Sequence, residues 1–258
     1  MLVTVDVGNT QTTIGLFADD GANLMCWRMP TQHTDTSDSL RSRLYGYFGM
    51  DGFDFSAITD AAVASVVPVL TRAWLRCFQR VLGHDPLFVG PGASCGMRLG
   101  VQNPKKVGAD RIANAVAAVC SYGAPVIVVD FGTATNIDVV DRSGTYRGGT
   151  IGPGLILSAD ALFARAAKLA SVPIEAPDHA LGDGTEAALQ AGLVIGAAAQ
   201  AEGLVARIKD ELGEPDATVV GTGGLARTVS AATDLFDAID PDLTLRGIRE
   251  IWEWQHNT

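Results

Sequence analysis

Two stretches of this chain share one local grammar. The first is Leu2-Val3-Thr4-Val5-Asp6-Val7-Gly8-Asn9-Thr10-Gln11-Thr12-Thr13-Ile14-Gly15-Leu16-Phe17, and the second runs from Val126 to Val140 through Asp130-Phe131-Gly132-Thr133-Ala134-Thr135-Asn136. In each, an apolar run delivers an aspartate to a hydroxyl-rich Asp-x-Gly turn, and a second apolar run leads away. That is the pattern of two antiparallel strands joined by a tight polar loop. Asp6 and Asp130 stand 124 positions apart in a chain of 258, so each half opens on the same hairpin. The expectation is a duplicated α/β fold, with an N-terminal domain over residues 1–118, a C-terminal domain over 119–258, and a cleft between them able to grip a polyphosphate from both sides.

The turn has what a nucleotide phosphate needs. Gly8 lets backbone N–H groups come close, Thr10, Thr12 and Thr13 add hydroxyls, and Asp6 can hold a hydrated metal ion. A hairpin without a ligand would explain Gly8 and Asn9 equally well. The second copy favours the phosphate reading and resembles the duplicated, ribonuclease H-like domains of the actin, hexokinase and Hsp70 superfamily. In that superfamily, mixed sheets are flanked by helices.

Between the hairpins, strands and helices alternate, as in an α/β domain. Asn23 to Met29 reads as a strand, and residues 34–39 offer N-caps for a helix through Leu40, Leu44 and Phe48. A buried strand follows over Ile58 to Val67. Residues 69–82 form an amphipathic helix with Leu70, Trp74, Phe78 and Val81 on one face, and Pro86 to Val89 form a short strand. The glycine-rich run Gly90 to Gly96, which includes Ser94, does not match G-x-G-x-x-G and reads as a loop; no Walker-type G-x-x-x-x-G-K-[ST] is present. Gly108-Ala109-Asp110-Arg111 opens a helix through Ile112, Ala115, Val116 and Val119. Asp110 there is either a first-turn dipole partner or a functional group.

After the second hairpin, Tyr146 to Gly154 is dense enough in glycine to bring backbone close to another strand or a ligand. Ser158 is expected to cap a helix through Leu162 and Leu169, and residues 172–184 form a loop. Thr185 starts the longest helical pattern, to about Leu212. It is read as a buried helix and not a membrane span, because Gln190, Gln200 and Glu202 interrupt it and it is rich in Gly and Ala. Thr218 to Ala226 is a strand, a Gly223-Gly224 turn and a helix, suited to a purine or to a tight connection. Trp252 and Trp254 sit in a last helix packed on the core.

A formal charge of −10, from 29 acidic and 19 basic residues, excludes a phosphate-backbone binder that relies on a basic surface. The first residues lack a basic n-region, and Cys26, Cys77, Cys95 and Cys120 are scattered without a Cys-x-x-Cys. Both features point to a cytoplasmic protein with reduced thiols, no membrane partner and no zinc site.

The chain as a whole resembles type III pantothenate kinases. The motifs that carry the resemblance come in family order: Asp6-Val7-Gly8-Asn9-Thr10, Asn103-Pro104 leading to Gly108-Ala109-Asp110-Arg111, Asp130-Phe131-Gly132-Thr133-Ala134, Gly148 to Gly154, Gly184-Thr185 and Thr222-Gly223-Gly224. The resemblance implies ATP-dependent phosphorylation of pantothenate at its primary hydroxyl, a homodimer, and a need for Mg²⁺ with K⁺ or ammonium. It makes Asp110 the proton acceptor, with Arg111 beside it. It assigns ATP to Asp6, Val7, Gly8, Asn9, Thr10, Gln11, Thr12, Thr13, Thr133, Gly223 and Gly224. It assigns K⁺ to Asp130, water-mediated Mg²⁺ to Asp6, and pantothenate to Val101, Gly108 to Arg111 and Thr185. Two positions depart from the family pattern: Val101 replaces a usual aromatic, and Asn136 a usual threonine. A polyphosphate or nucleotide hydrolase of the same superfamily, or a non-catalytic nucleotide-binding regulator, are the competing readings.

Overall fold

The structure, a computed structural model, describes residues 1–93, 95–165 and 171–257. The duplication is drawn in its two sheets. The first holds β1 (Leu2–Val7), β2 (Gln11–Phe17), β3 (Asn23–Pro30), β4 (Asp60–Ser65) and β5 (Leu87–Phe88), in the order β3-β2-β1-β4-β5. The second holds β6 (Val126–Phe131), β7 (Ala134–Val140), β8 (Tyr146–Pro153), β9 (Thr218–Thr222) and β10 (Ala238–Ile239), in the order β8-β7-β6-β9-β10. Each is an antiparallel meander of three strands whose first strand then takes a parallel neighbour. The central strands β1 and β6 are buried along most of their length, which is why both read as unbroken apolar runs.

By its internal contacts the chain forms two compact units. The first comprises residues 1–97, 102–117 and 244–258, and the second residues 98–101 and 118–243. In the first unit, α1 (Ser37–Met50) starts at a reciprocal cap between Thr36 and Ser39. Helix α2 (Pro68–Leu82) starts on proline and stops at Gly83 with φ 81°. Leu40, Leu44 and Phe48 of α1 join Leu70, Trp74 and Phe78 of α2 and the strand residues Val3, Val5, Ile14 and Leu16 in one core. Helix α3 (Ala109–Tyr122) begins in this unit and ends in the second.

In the second unit, α4 (Leu155–Arg165) begins three residues before the expected cap. Ser158 lies inside the helix, its N–H donating to the Gly154 carbonyl. The boundary is set by Pro153 and Gly154, which end the strand, and not by the serine hydroxyl. Leu169, to which this helix was expected to extend, and Ser94 of the glycine-rich run lie outside the described residues. The long helix consists of α5 (Thr185–Gln190), one π turn (Ala191–Ile195) and α6 (Gly196–Leu212). By length and composition alone it could cross a membrane. One stripe of it, through Val194, Ala198, Ala201 and Val205, packs on Ile127, Val129 and Val219 of the second sheet. The expectation of a buried helix is therefore corrected: only this stripe is buried, and Gly192, Gly196, Ala199 and Gly203 are exposed. Short α7 (Ala226–Ser230) follows β9. The last helix, α8 (Leu243–Asn257), is counted with the first unit, where Gly247 lies so close to Ala113 that a Cβ would stand 1.9 Å from its carbonyl oxygen.

Candidate active site

In the first unit, the register sets Asp6 opposite Thr13, so both side chains lie on one face at the turn end of the hairpin. The turn closes through a 3.1 Å hydrogen bond from Gly8 N–H to the Gln11 carbonyl. A Cβ on Gly8 would stand 2.9 Å from that same oxygen. Asp6 is half-buried, while Asn9, Thr10 and Gln11 are exposed. Thr12 differs from the other threonines: it is buried, and its hydroxyl lies 2.8 Å from that of Thr31.

Asp110 sits in the first turn of α3. Its Oδ1 accepts the backbone N–H of Arg111 at 2.8 Å. Burial pushes its carboxyl above the ordinary range, against the lowering effects of the Arg111 N–H and guanidinium. Val66 connects this group to the first turn. Its N–H donates to the carbonyl of Val7 at 3.1 Å, and its Cγ1 would be 3.6 Å from a Cβ on Gly108. The end of β1 and the start of α3 are thus neighbours within one unit.

In the second unit, Asp130 is flanked in register by Asn136 on β7 and Thr222 on β9. Asn136 takes the cross-strand place that Thr13 holds beside Asp6, and the second hairpin reaches it one residue sooner. Gly223 (φ +90°) packs directly on Asp130: a Cβ there would lie 2.4 Å from Oδ1 and 2.7 Å from the Phe131 carbonyl oxygen. Close packing therefore accounts for the Gly223 turn, whereas Gly224 is open. The glycine run Gly148 to Gly154 is explained the same way. A Cβ on Gly149 would stand 1.7 Å from the Ile137 carbonyl oxygen, and one on Gly154 would stand 2.4 Å from that of Gly132. The close partner is backbone, including the second turn itself. Thr133 is exposed at the tip of that turn, and Thr185 is the exposed first residue of α5. Val101 is half-buried, with Cγ1 3.3 Å from the place of a Gly148 Cβ.

Thr31 and Val66 were not singled out from the sequence, because neither belongs to a local motif. Only strand pairing, which sets Pro30 opposite Gln11 and Val7 opposite Ser65, brings them to the turn.

Two copies of such a sheet, each with an aspartate-tipped turn on its central strand, make the duplicated actin/hexokinase-like α/β fold. Among solved structures, the activator of the 2-hydroxyisocaproyl-CoA dehydratase from Clostridium difficile with bound ADPNP has the same fold. It aligns with a TM-score of 0.59 and 12% identity, covering 100% of this chain and 97% of that one. The family model of type III pantothenate kinase matches residues 2–207. The type III pantothenate kinase of Moorella thermoacetica is 44% identical over 98% of this chain and 99% of the relative. That of Thermomicrobium roseum is 42% identical over 100% and 99%. The chain belongs to the type III pantothenate kinase family.

Proposed function

We propose that this chain transfers the γ-phosphoryl group of ATP to the primary hydroxyl of pantothenate, giving 4′-phosphopantothenate and ADP, the first step toward coenzyme A. Full-length membership of the family carries the reading. The site agrees with it through Asp110. In a loose phosphoryl-transfer transition state, the alcohol loses its proton late. The hydroxyl oxygen bonds to the γ-phosphorus, the bond to the ADP oxygen breaks, and the proton passes to the Asp110 carboxylate. A carboxyl raised by burial is a better acceptor than an exposed one. Arg111 holds the acceptor or the equatorial oxygens.

On this reading the turn from Asp6 to Thr13, in which the Thr12 hydroxyl is held by Thr31, serves ATP with Thr133, Gly223 and Gly224, and Val101, Gly108 to Arg111 and Thr185 serve pantothenate. Among the described residues no group of three or more His, Cys, Asp or Glu side chains is arranged to hold a metal ion. Single carboxylates fit a Mg²⁺ that arrives on the nucleotide phosphates and keeps its waters, with Asp6 reaching it through one of them. When bound, that ion supplies charge neutralisation. Asp130, between Asn136 and Thr222, is the proposed ligand of a monovalent cation, K⁺ or ammonium.

A homodimer is part of the proposal. Ile151 on the edge strand β8 is 67% exposed and Leu157 on α4 is 51% exposed. Ile151 also shares a small groove with Gln200 and Leu204 of α6. Large apolar side chains exposed on one unit in this way fit a second copy of the chain. The proposed location is the cytoplasm.

The test is ADP release measured across acceptors and monovalent salts. Release that requires pantothenate and is faster in K⁺ than in Na⁺ supports the kinase. Phosphate release without pantothenate would point to a hydrolase instead.

A further inference from the structure

The first turn is held by a residue outside it. Thr31, the first residue after β3, meets the turn at three points. Its N–H donates to the Thr10 carbonyl at 2.9 Å, its hydroxyl donates to the Gly8 carbonyl at 2.8 Å, and its Oγ1 lies 2.8 Å from that of Thr12. A hydroxyl has a single proton. With the Thr31 proton on Gly8, the bond to Thr12 takes its proton from Thr12. The Thr12 hydroxyl is therefore committed inside the protein and not offered to a phosphate.

The two carbonyl contacts matter more. In a trans peptide the C=O and the following N–H point in opposite directions. Drawing the Gly8 and Thr10 carbonyls toward Thr31 turns the N–H groups of Asn9 and Gln11 away from it. Both residues are exposed on the turn. Backbone N–H groups turned outward on a tight turn can meet an anion. Thr31 is itself secured from behind. Asp35 N–H donates to the Gln32 carbonyl at 3.0 Å, and Arg43 of α1 donates to Asp35 Oδ2 at 2.7 Å and to Gln32 Oε1 at 3.1 Å.

We propose that Thr31 is a positioning residue for ATP, setting two peptide planes of the first turn so that the Asn9 and Gln11 N–H groups meet the nucleotide phosphates. The inference rests on the kinase reading for the identity of the ligand, but its deciding measurement, ADP binding without acceptor, does not.

The experiment compares Thr31→Val and Thr31→Ser with the parent protein. It measures ADP binding by calorimetry without acceptor, KM for each substrate, and thermal midpoint. Thr31→Val keeps the shape and the backbone bond to Thr10 but removes the hydroxyl bonds to Gly8 and Thr12, so ADP binding and KM for ATP should weaken about tenfold or more, the effect of releasing the Gly8–Asn9 peptide plane that orients a donor to a charged group. KM for pantothenate should stay within about twofold, and Thr31→Ser should restore nucleotide affinity. If Thr31→Val does not fold, Thr31→Ala carries the same comparison. Parent-like ADP binding in Thr31→Val overturns the inference. So does a loss in which both KM values rise together with a fallen thermal midpoint, or failure of both Val and Ala variants to fold, since each assigns Thr31 to stability alone. ADP binding is read without pantothenate, so failure of the kinase reading would be seen separately, as a parent protein that binds nucleotide but does not phosphorylate this acceptor.

Discussion

Gly108 leaves open the space in which the Asp110 carboxylate stands: a methyl group on Gly108 would lie 2.4 Å from Oδ1 of Asp110. Real Cβ atoms do not approach a neighbour so closely, so any side chain at 108 must displace the carboxylate. A misplacement of about 1 Å at a reacting group can cost about 10²-fold. Gly108→Ala is therefore expected to lower kcat by roughly 10 to 10² while leaving KM for ATP near its parent value. Steady-state kinetics with both substrates varied checks this; unchanged kcat would remove Asp110 from the chemistry.

Asp110→Asn should have two opposite effects. Loss of the proton acceptor lowers kcat by roughly 10² or more. Stability should move the other way. Burial raises the Asp110 carboxyl above its unfolded value, so its contribution favours the fold while it is protonated and is lost as pH rises through the folded pKa. At pH 7, well above the unfolded value, this upward shift weighs against the fold, and the amide removes that load. The thermal midpoint of the variant should exceed the parent's at pH 7, with the gap closing as pH falls.

The same raised carboxyl fixes the sign of a pH effect on activity. Asp110 must be ionised to accept a proton, so the acid limb of kcat/KM should lie above the ordinary aspartate value of about 3.9. A limb at or below that value would contradict burial as the dominant influence on this group.

Gly223→Ala tests the second turn. The position has φ +90°, and the added methyl would meet Oδ1 of Asp130 at 2.4 Å. Backbone strain of this kind costs of order 1–3 kcal/mol, readable by denaturant titration. Because the displaced group is Asp130, the preference for K⁺ over Na⁺ should also fall.

Leu157→Glu places a charge at an exposed apolar position of the second unit. If Leu157 lies where two copies join, sedimentation should show the parent as a dimer and the variant as a monomer. A variant that stays dimeric would move the interface elsewhere.

Both hairpins were legible because their information is local: an unbroken apolar run, an aspartate and a glycine at fixed spacing. Phe48 and Trp74 were legible for the same reason, each belonging to a helical stripe. Where several local signals competed, the reading slipped. Ser158 looks like a cap, yet Pro153 and Gly154 terminate the strand earlier and start the helix for it. The long helix read as buried because alanine and glycine are apolar, although small side chains also suit an exposed face. The role of Gly223 was left open between ligand and packing, since the atom that decides it, Oδ1 of Asp130, lies more than 90 positions away in sequence. Thr31 had no signal at all. Its partners Gly8, Thr10 and Thr12 become neighbours only when β3 pairs with β2.

The placement of α8 sets an order on biosynthesis. Leu245 lies against Gly15, Thr244 Oγ1 donates to Asn114 Oδ1 at 2.7 Å, and Arg249 donates to the Gly21 carbonyl at 2.8 Å. A nascent chain that has emerged through residue 242 therefore still lacks a wall of the unit that contains its own N-terminus. Domains generally fold as they leave the ribosome, the earliest first; here the unit begun first is finished last. Fusions or trims at the C-terminal end will consequently be felt at the opening hairpin.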